Sequence, residues 1–162
     1  LNYLSNFSFY TENDKWFRYL RDQALGPAHY EELMLHLMNI KGFSPQAVVG
    51  DLWISESDLK DIANRGHVVG LHSFNHPTQI SKLSYEHQYA QYTKNFEHLS
   101  SIVGNVVSMS HPYGDYNGDT LKILEQLGIR IGFRSSLSET KIKGKYEIPR
   151  ADHANIYKAM KQ

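Results

Sequence analysis

The chain has 162 residues, no cysteine, and 17 acidic against 17 basic side chains, so its formal net charge is zero. That length suits one ordinary domain with its own core. The missing cysteines exclude disulfides, thiolate zinc sites and a cysteine nucleophile, and the balanced charge supplies no basic field for nucleic acid.

In chain order, Asp14 to Leu25 reads as a helix, with Trp16, Phe17, Leu20 and Leu25 at near-helical spacing. Gly26-Pro27 breaks it, and Pro27 suits the first turn of a second helix that carries Leu33, Leu37 and Ile40 and stops near Gly42. Met34 and Met38 read there as core filler. Ser55 or Ser57 can cap the next helix, whose first-turn acids favour the positive end of the dipole; it runs through Leu59 and Ile62 to Gly66. The apolar run His67 to Leu71 is a strand ending at His72. Ser84 caps a long helix, Tyr85 to Val103, closed by Gly104. Val106 to Met109 is a short buried strand, followed by a loop, His111 to Asp115. Thr120 to Leu127 is a helix, Ile129 to Phe133 a strand, Glu147 to Arg150 a last strand, and Asn155 to Lys161 a helix.

Short apolar strands alternating with helices indicate an α/β protein with a parallel sheet or barrel. There is no internal repeat. No stretch approaches the roughly 20 apolar residues that span a bilayer, and no signal peptide is visible. The first residue is Leu1 rather than Met, as in a fragment or a processed product, so the N-terminus gives no information on export; the compartment is left open, with the cytoplasm as the default.

Nine histidines are present. His29, His36, His87 and His98 fall among polar residues of helices and read as surface side chains. His72, His76, His111 and His153 instead fall at strand ends or in loops, where α/β proteins place chemistry. In His72-Ser73-Phe74-Asn75-His76, two imidazoles four residues apart leave one strand end, an arrangement suited to a divalent metal such as zinc. Spacing alone points more often to surface histidines than to a metal. The zinc-protease motif is excluded, because Ser73 replaces its glutamate and Pro77 opposes a continuing helix. Pro112-Tyr113-Gly114 taken alone is a turn. Asp115 is either a sugar-hydroxyl ligand or a solvated loop acid, and Asp152-His153 either an acid-base pair or a helix cap. Trp53 and Tyr116 are candidates to stack on sugar rings, although Trp53 reads first as a core residue.

From Trp53 to Ile156 the chain resembles the polysaccharide deacetylases, carbohydrate esterase family 4 with its NodB-like domain. Gly66 to Pro77 resembles that family's His-Ser/Thr-x-x-His segment, Met109 to Gly114 its Arg-x-Pro-Tyr/Phe-Gly segment, and Pro149 to His153 its later arginine and histidine region. Deacetylases of bacterial surface-polysaccharide synthesis are the most similar members. The resemblance implies one irregular (β/α) barrel domain over residues 1–162, with residues 1–50 as a helical lead-in. It implies His72 and His76 as metal ligands, the Tyr113 backbone N–H as an oxyanion donor, and His153 as the acid toward the leaving amine, tuned by Asp152 or Arg150. Pro112, Tyr113, Gly114 and Asp115 would contact substrate. Zinc is the leading metal, with cobalt, nickel or manganese as alternatives. The partner implied is an N-acetylated saccharide; the oligomeric state is open.

The chain departs from the family twice. No Thr-Phe-Asp-Asp-Gly segment lies ahead of His72, so the metal aspartate and the base aspartate are missing, as in a barrel that lacks its first strand and helix. Ser110 stands at the usual arginine, a place that Arg134 or Arg150 could fill. The expected function is a metal-dependent removal of N-acetyl groups from sugars of a bacterial polysaccharide or its precursor. The alternatives are a catalytically incomplete relative that binds glycan, and a structural fragment.

Overall fold

Four hydrogen-bonded caps decide where helices begin in this chain. In the computed structural model, which describes residues 2–7, 9–137, 140–151 and 153–161, the chain forms two compact units, Leu1–Trp53 and Ile54–Gln162. In the first unit, the Thr11 hydroxyl accepts the Asp14 amide and the Asp14 carboxylate accepts the Thr11 amide, opening α1 (Glu12–Tyr19). A π-helical stretch, Leu20–Leu25, comes next. Gly26 then breaks the path at φ 73°, and Pro27 enters the first turn of α2 (Gly26–Ile40). A further helix, α3 (Pro45–Leu52), which the sequence reading does not include, opens on Pro45 in its first turn.

In the second unit, Ser55 rather than Ser57 makes a capping box with Asp58 and opens α4 (Glu56–Asn64). Ser84 caps α5 (Tyr85–Val103) and Gly104 closes it. Asn117 accepts the Asp119 and Thr120 amides and opens α6 (Gly118–Gln126). The last helix is α7 (His153–Met160).

The strands are shorter than their apolar runs. Ladder pairing is confined to β1 (Ser108–Ser110) and β2 (Ile131–Phe133), which are parallel, with Met109 opposite Gly132. The strand expected at 67–71 is reduced to one parallel bridge, Leu71 to Met109, and that expected at 147–150 to one bridge, Phe133 to Ile148. Each reduction has a local cause. The His67 amide still donates back to the Ile62 carbonyl, so the backbone is finishing α4 when the strand should begin. Glu147 donates to Gly144 in a turn, and Pro149 has no N–H with which to continue a ladder. The order across the sheet is therefore Leu71, β1, β2, Ile148, the order in which these segments occur along the chain, with α5 and α6 as the connections across β1. This is an α/β arrangement of parallel segments; the described residues do not close it into a barrel.

The core lies wholly in the second unit. Ile80, Tyr92, Ile123 and Leu124 are 0% exposed, and Leu71, Met109 and Ile129 close the same cluster. Burying each such side chain contributes about 1.5–3 kcal/mol. Gly70 is required by close approach: a Cβ there would stand 2.9 Å from the Ser108 carbonyl oxygen. In the first unit no described residue is buried. Met34 and Met38 are half-buried there, and Trp53, expected in the core, is 74% exposed at the end of α3. No described helix is long and apolar enough to cross a membrane.

Candidate metal and active site

The bridge at Leu71 fixes where the His72 loop starts. Leu71 donates to the Ser108 carbonyl and its own carbonyl accepts from Ser110, so His72 leaves the sheet directly beside the end of β1. Its amide donates to Asn95 Oδ1 at 3.0 Å, and its ring Nδ1 stands 2.8 Å from the Ser110 carbonyl. A carbonyl can only accept, so Nδ1 carries a proton and Nε2 is the ring nitrogen that Ser110 does not engage. This is the arrangement that orients an imidazole toward a metal. The Ser110 hydroxyl lies 3.2 Å from the same Nδ1.

Ser73 at φ 62° and His76 at φ 52° take left-handed conformations that fold the loop back. The two imidazole centroids then stand 4.7 Å apart, and the Tyr113 ring stands 5.3 Å from His76. Tyr113 is also left-handed, at φ 55°, inside the 3-10 turn Pro112–Gly114. Such conformations cost non-glycine residues about 1–3 kcal/mol and collect at functional sites. Surrounding bonds hold the turn: Gly114 donates to His111, Asp115 donates to Pro112, and the Ser135 hydroxyl donates to the Tyr113 carbonyl at 3.3 Å. Gly114 sits at φ 71°, and a Cβ on it would collide with Ser135 Oγ.

The site residues expected from sequence are distributed unevenly. His72, His76, Pro112, Tyr113 and Gly114 come together. Asp115 is adjacent, but both of its oxygens are taken by Ser81, from the amide at 2.8 Å and the hydroxyl at 2.7 Å. Arg150 is exposed in the segment after Ile148, and His153 is exposed at the start of α7. Asp152 lies outside the described residues. Among the described residues no three His, Asp or Glu side chains gather into a metal cluster, so neither His153 nor an acid joins the pair. Arg134, a candidate for the arginine replaced by Ser110, is buried, and one guanidinium nitrogen donates to the Lys141 carbonyl at 3.2 Å.

His111 is only 1% exposed. Its Nε2 donates to the Tyr146 carbonyl at 2.8 Å, and its ring stacks on Tyr116, centroids 4.2 Å apart, which occupies the Tyr116 face proposed for sugar. Burial pushes the His111 pKa down to about 4, with the Tyr146 bond only partly opposing it. His111 is therefore neutral, and its Nδ1 lone pair is buried with no hydrogen-bond partner among the described residues. His29, His36, His87 and His98 are exposed, as their polar surroundings indicate.

Three contributors have roles that the sequence reading does not assign. Asn95 binds the His72 amide, Gln91 Oε1 accepts the Asn75 amide at 2.8 Å, and Ser110 orients His72. Gln91 and Asn95 are one helical turn apart on α5, a spacing that puts both on one face; that is their available signal.

Comparison with known proteins adds to this geometry. The sequence model of the family described as Polysaccharide deacetylase matches residues 27–132. No curated protein sequence matches. Among solved structures, the Streptococcus pyogenes deacetylase PplD in complex with acetate aligns at TM-score 0.52 and 19% identity, over 66% of this chain and 50% of that one. The deacetylase domain of BpsB from Bordetella bronchiseptica aligns at TM-score 0.53 and 16% identity, over 62% of this chain and 49% of that one. At these identities the likeness is one of fold, and the chain aligns with only about half the length of either structure.

Proposed function

Because the chain belongs to the polysaccharide deacetylase family, we propose that it carries part of the site of a metal-dependent hydrolase that removes N-acetyl groups from sugars of a bacterial polysaccharide or its precursor. The parallel segments through Leu71, β1, β2 and Ile148 would then form one section of an irregular (β/α) barrel. The observation that carries this reading is the His72 ring. Its Nδ1–H is held by the Ser110 carbonyl while the His76 ring stands 4.7 Å away, so two imidazoles leave one strand end together.

His72 and His76 would supply two ligands to a divalent metal, with zinc the leading candidate and nickel, cobalt or manganese the alternatives. When bound, such an ion polarises an acetamide carbonyl and acidifies water. Tyr113 offers its backbone amide from a strained turn, which is how a donor is held ready for an oxyanion. Pro112 and Gly114 shape that turn, and the exposed Tyr113 ring forms a wall beside His76. His153, with Arg150 and Asp152 near it in sequence, is the proposed proton donor to the leaving amine.

A second reading is favoured by one observation: among the described residues no carboxylate stands with the two histidines. A relative of this kind would bind glycan without turnover. Zinc calorimetry on the metal-stripped chain, together with His72→Ala and His76→Ala, separates the readings. One-site binding that weakens in both variants supports the metal site. Glycan binding that survives His72→Ala, without zinc binding by the parent, selects the second reading.

A further inference from the structure

Asp115 lies beside the site, yet its carboxylate is turned toward Ser81. The Ser81 amide donates to one oxygen at 2.8 Å and the Ser81 hydroxyl to the other at 2.7 Å. The Ser81 carbonyl accepts from Asn117 Nδ2 at 2.8 Å, so the same serine is held from both sides. Ser81 is the centre of the 3-10 turn Ile80–Lys82, five residues after His76, and Ile80 beside it is fully buried in the core. Asp115 itself comes directly after the turn that holds Tyr113, and its amide closes that turn on the Pro112 carbonyl. The carboxylate thus ties the segment leaving His76 to the segment leaving Tyr113.

We infer that Asp115 is a positioning residue: through Ser81 it sets the His76 loop against the Tyr113 turn and so fixes the contact between those two rings. Bonds from an amide and a hydroxyl to an ionised carboxylate are stronger than neutral ones, which suits a tie between two strained loops. The tie extends into the core, because Asn117 also caps α6 and Thr120 donates to the buried Gln88 at 2.6 Å. The charge of Asp115 is felt at Tyr92, whose buried phenol is raised in pKa first by desolvation and then by that carboxylate. The functional consequence of the tie rests on the roles proposed above for His76 and Tyr113; the tie itself does not.

The test is a nuclear magnetic resonance measurement of the contact between the His76 and Tyr113 rings in the metal-free chain. Parent, Ser81→Ala, Asp115→Ala, their double variant, and Asp115→Asn are compared. We expect the contact to be lost in Asp115→Ala, weakened in Ser81→Ala, and no worse in the double variant than in Asp115→Ala, since residues acting as one unit are non-additive. Asp115→Asn should restore it, because an amide can accept the Ser81 N–H and donate to the Ser81 hydroxyl. A contact that survives in Asp115→Ala, or effects of the two alanines that simply add, overturns the inference. Should Asp115→Ala fail to fold, Ser81→Ala and Asp115→Asn decide alone: a contact unchanged in Ser81→Ala, or lost in Asp115→Asn, has the same overturning force. Zinc titration of the same set distinguishes the two proposals. Affinity lower by on the order of tenfold in Asp115→Ala, as for other residues that orient ligands, supports both. A parent that binds no zinc removes the ligand role of His76 and leaves the ring contact to decide the tie.

Discussion

Thr11 and Ser55 open helices with the same device, a hydroxyl and an aspartate three residues on that exchange bonds across the first turn. The two units diverge after those caps. Beyond Ser55 the chain builds a dry cluster in which Ile80, Tyr92, Ile123 and Leu124 have no exposed surface. Beyond Thr11 it builds three helices in which Phe17, Leu35, Ile40 and Leu52 are between 44% and 69% exposed. Helix signals are local, whereas burial is not. A capping box needs four residues, but a core needs two elements that meet, and here the sheet segments supply the second element only after residue 66.

This contrast can be broken by measurement. The largest effect expected is from Ile123→Ala, which empties a fully enclosed position and should lower unfolding free energy by about 2–5 kcal/mol in a denaturant titration. A loss below about 1 kcal/mol would mean that the cluster is not the cooperative core. The next effect is pH-dependent. His111 is held near a pKa of about 4 against an ordinary 6.5. The folded state therefore refuses a proton that the unfolded state accepts. The stability contributed by the neutral ring is complete above about 6.5 and is lost as pH falls toward about 4, a change of about 3 kcal/mol. His111→Gln, which cannot be protonated, should flatten that slope; an unchanged slope assigns the acid sensitivity elsewhere.

Smaller effects compare the two units directly. Ser55→Ala removes a cap from the unit with the core and should cost about 1 kcal/mol in its cooperative transition. Thr11→Ala removes the same cap from the unit without one and should leave that transition in place. Equal shifts would show that both units unfold together. The smallest effect is expected from Leu35→Ala, at an exposed position, within about 0.5 kcal/mol of the parent. A larger loss there would mean that α2 buries this face in solution.

The starts of α4 and α5 are legible in the sequence because Ser55, Ser84 and their partners lie within one turn. The paired histidines and the Pro-Tyr-Gly turn are legible as motifs. Strand lengths are not: His67 is still bonded to Ile62 of α4 where the strand should begin, and the pairing left to Leu71 is with Met109, far along the chain. The occupation of Asp115 by Ser81 spans 34 positions and leaves no local pattern. The exposure of Trp53 is hidden for a related reason: its apolar character is plain, but nothing in its segment says whether a partner surface exists.

The left-handed residues of the site, Ser73, His76 and Tyr113, bear on the order in which the molecule assembles. Each holds a conformation that its own side chain disfavours, so none forms until its neighbours are fixed. The core cluster and the caps of α5 and α6 have no such requirement. The loops at the strand ends are therefore expected to be among the last parts of the second unit to take shape and among the first released when it loosens. Under mild destabilisation the ring contact between His76 and Tyr113 should be lost while helix content persists, which ring resonances followed beside helix content would check.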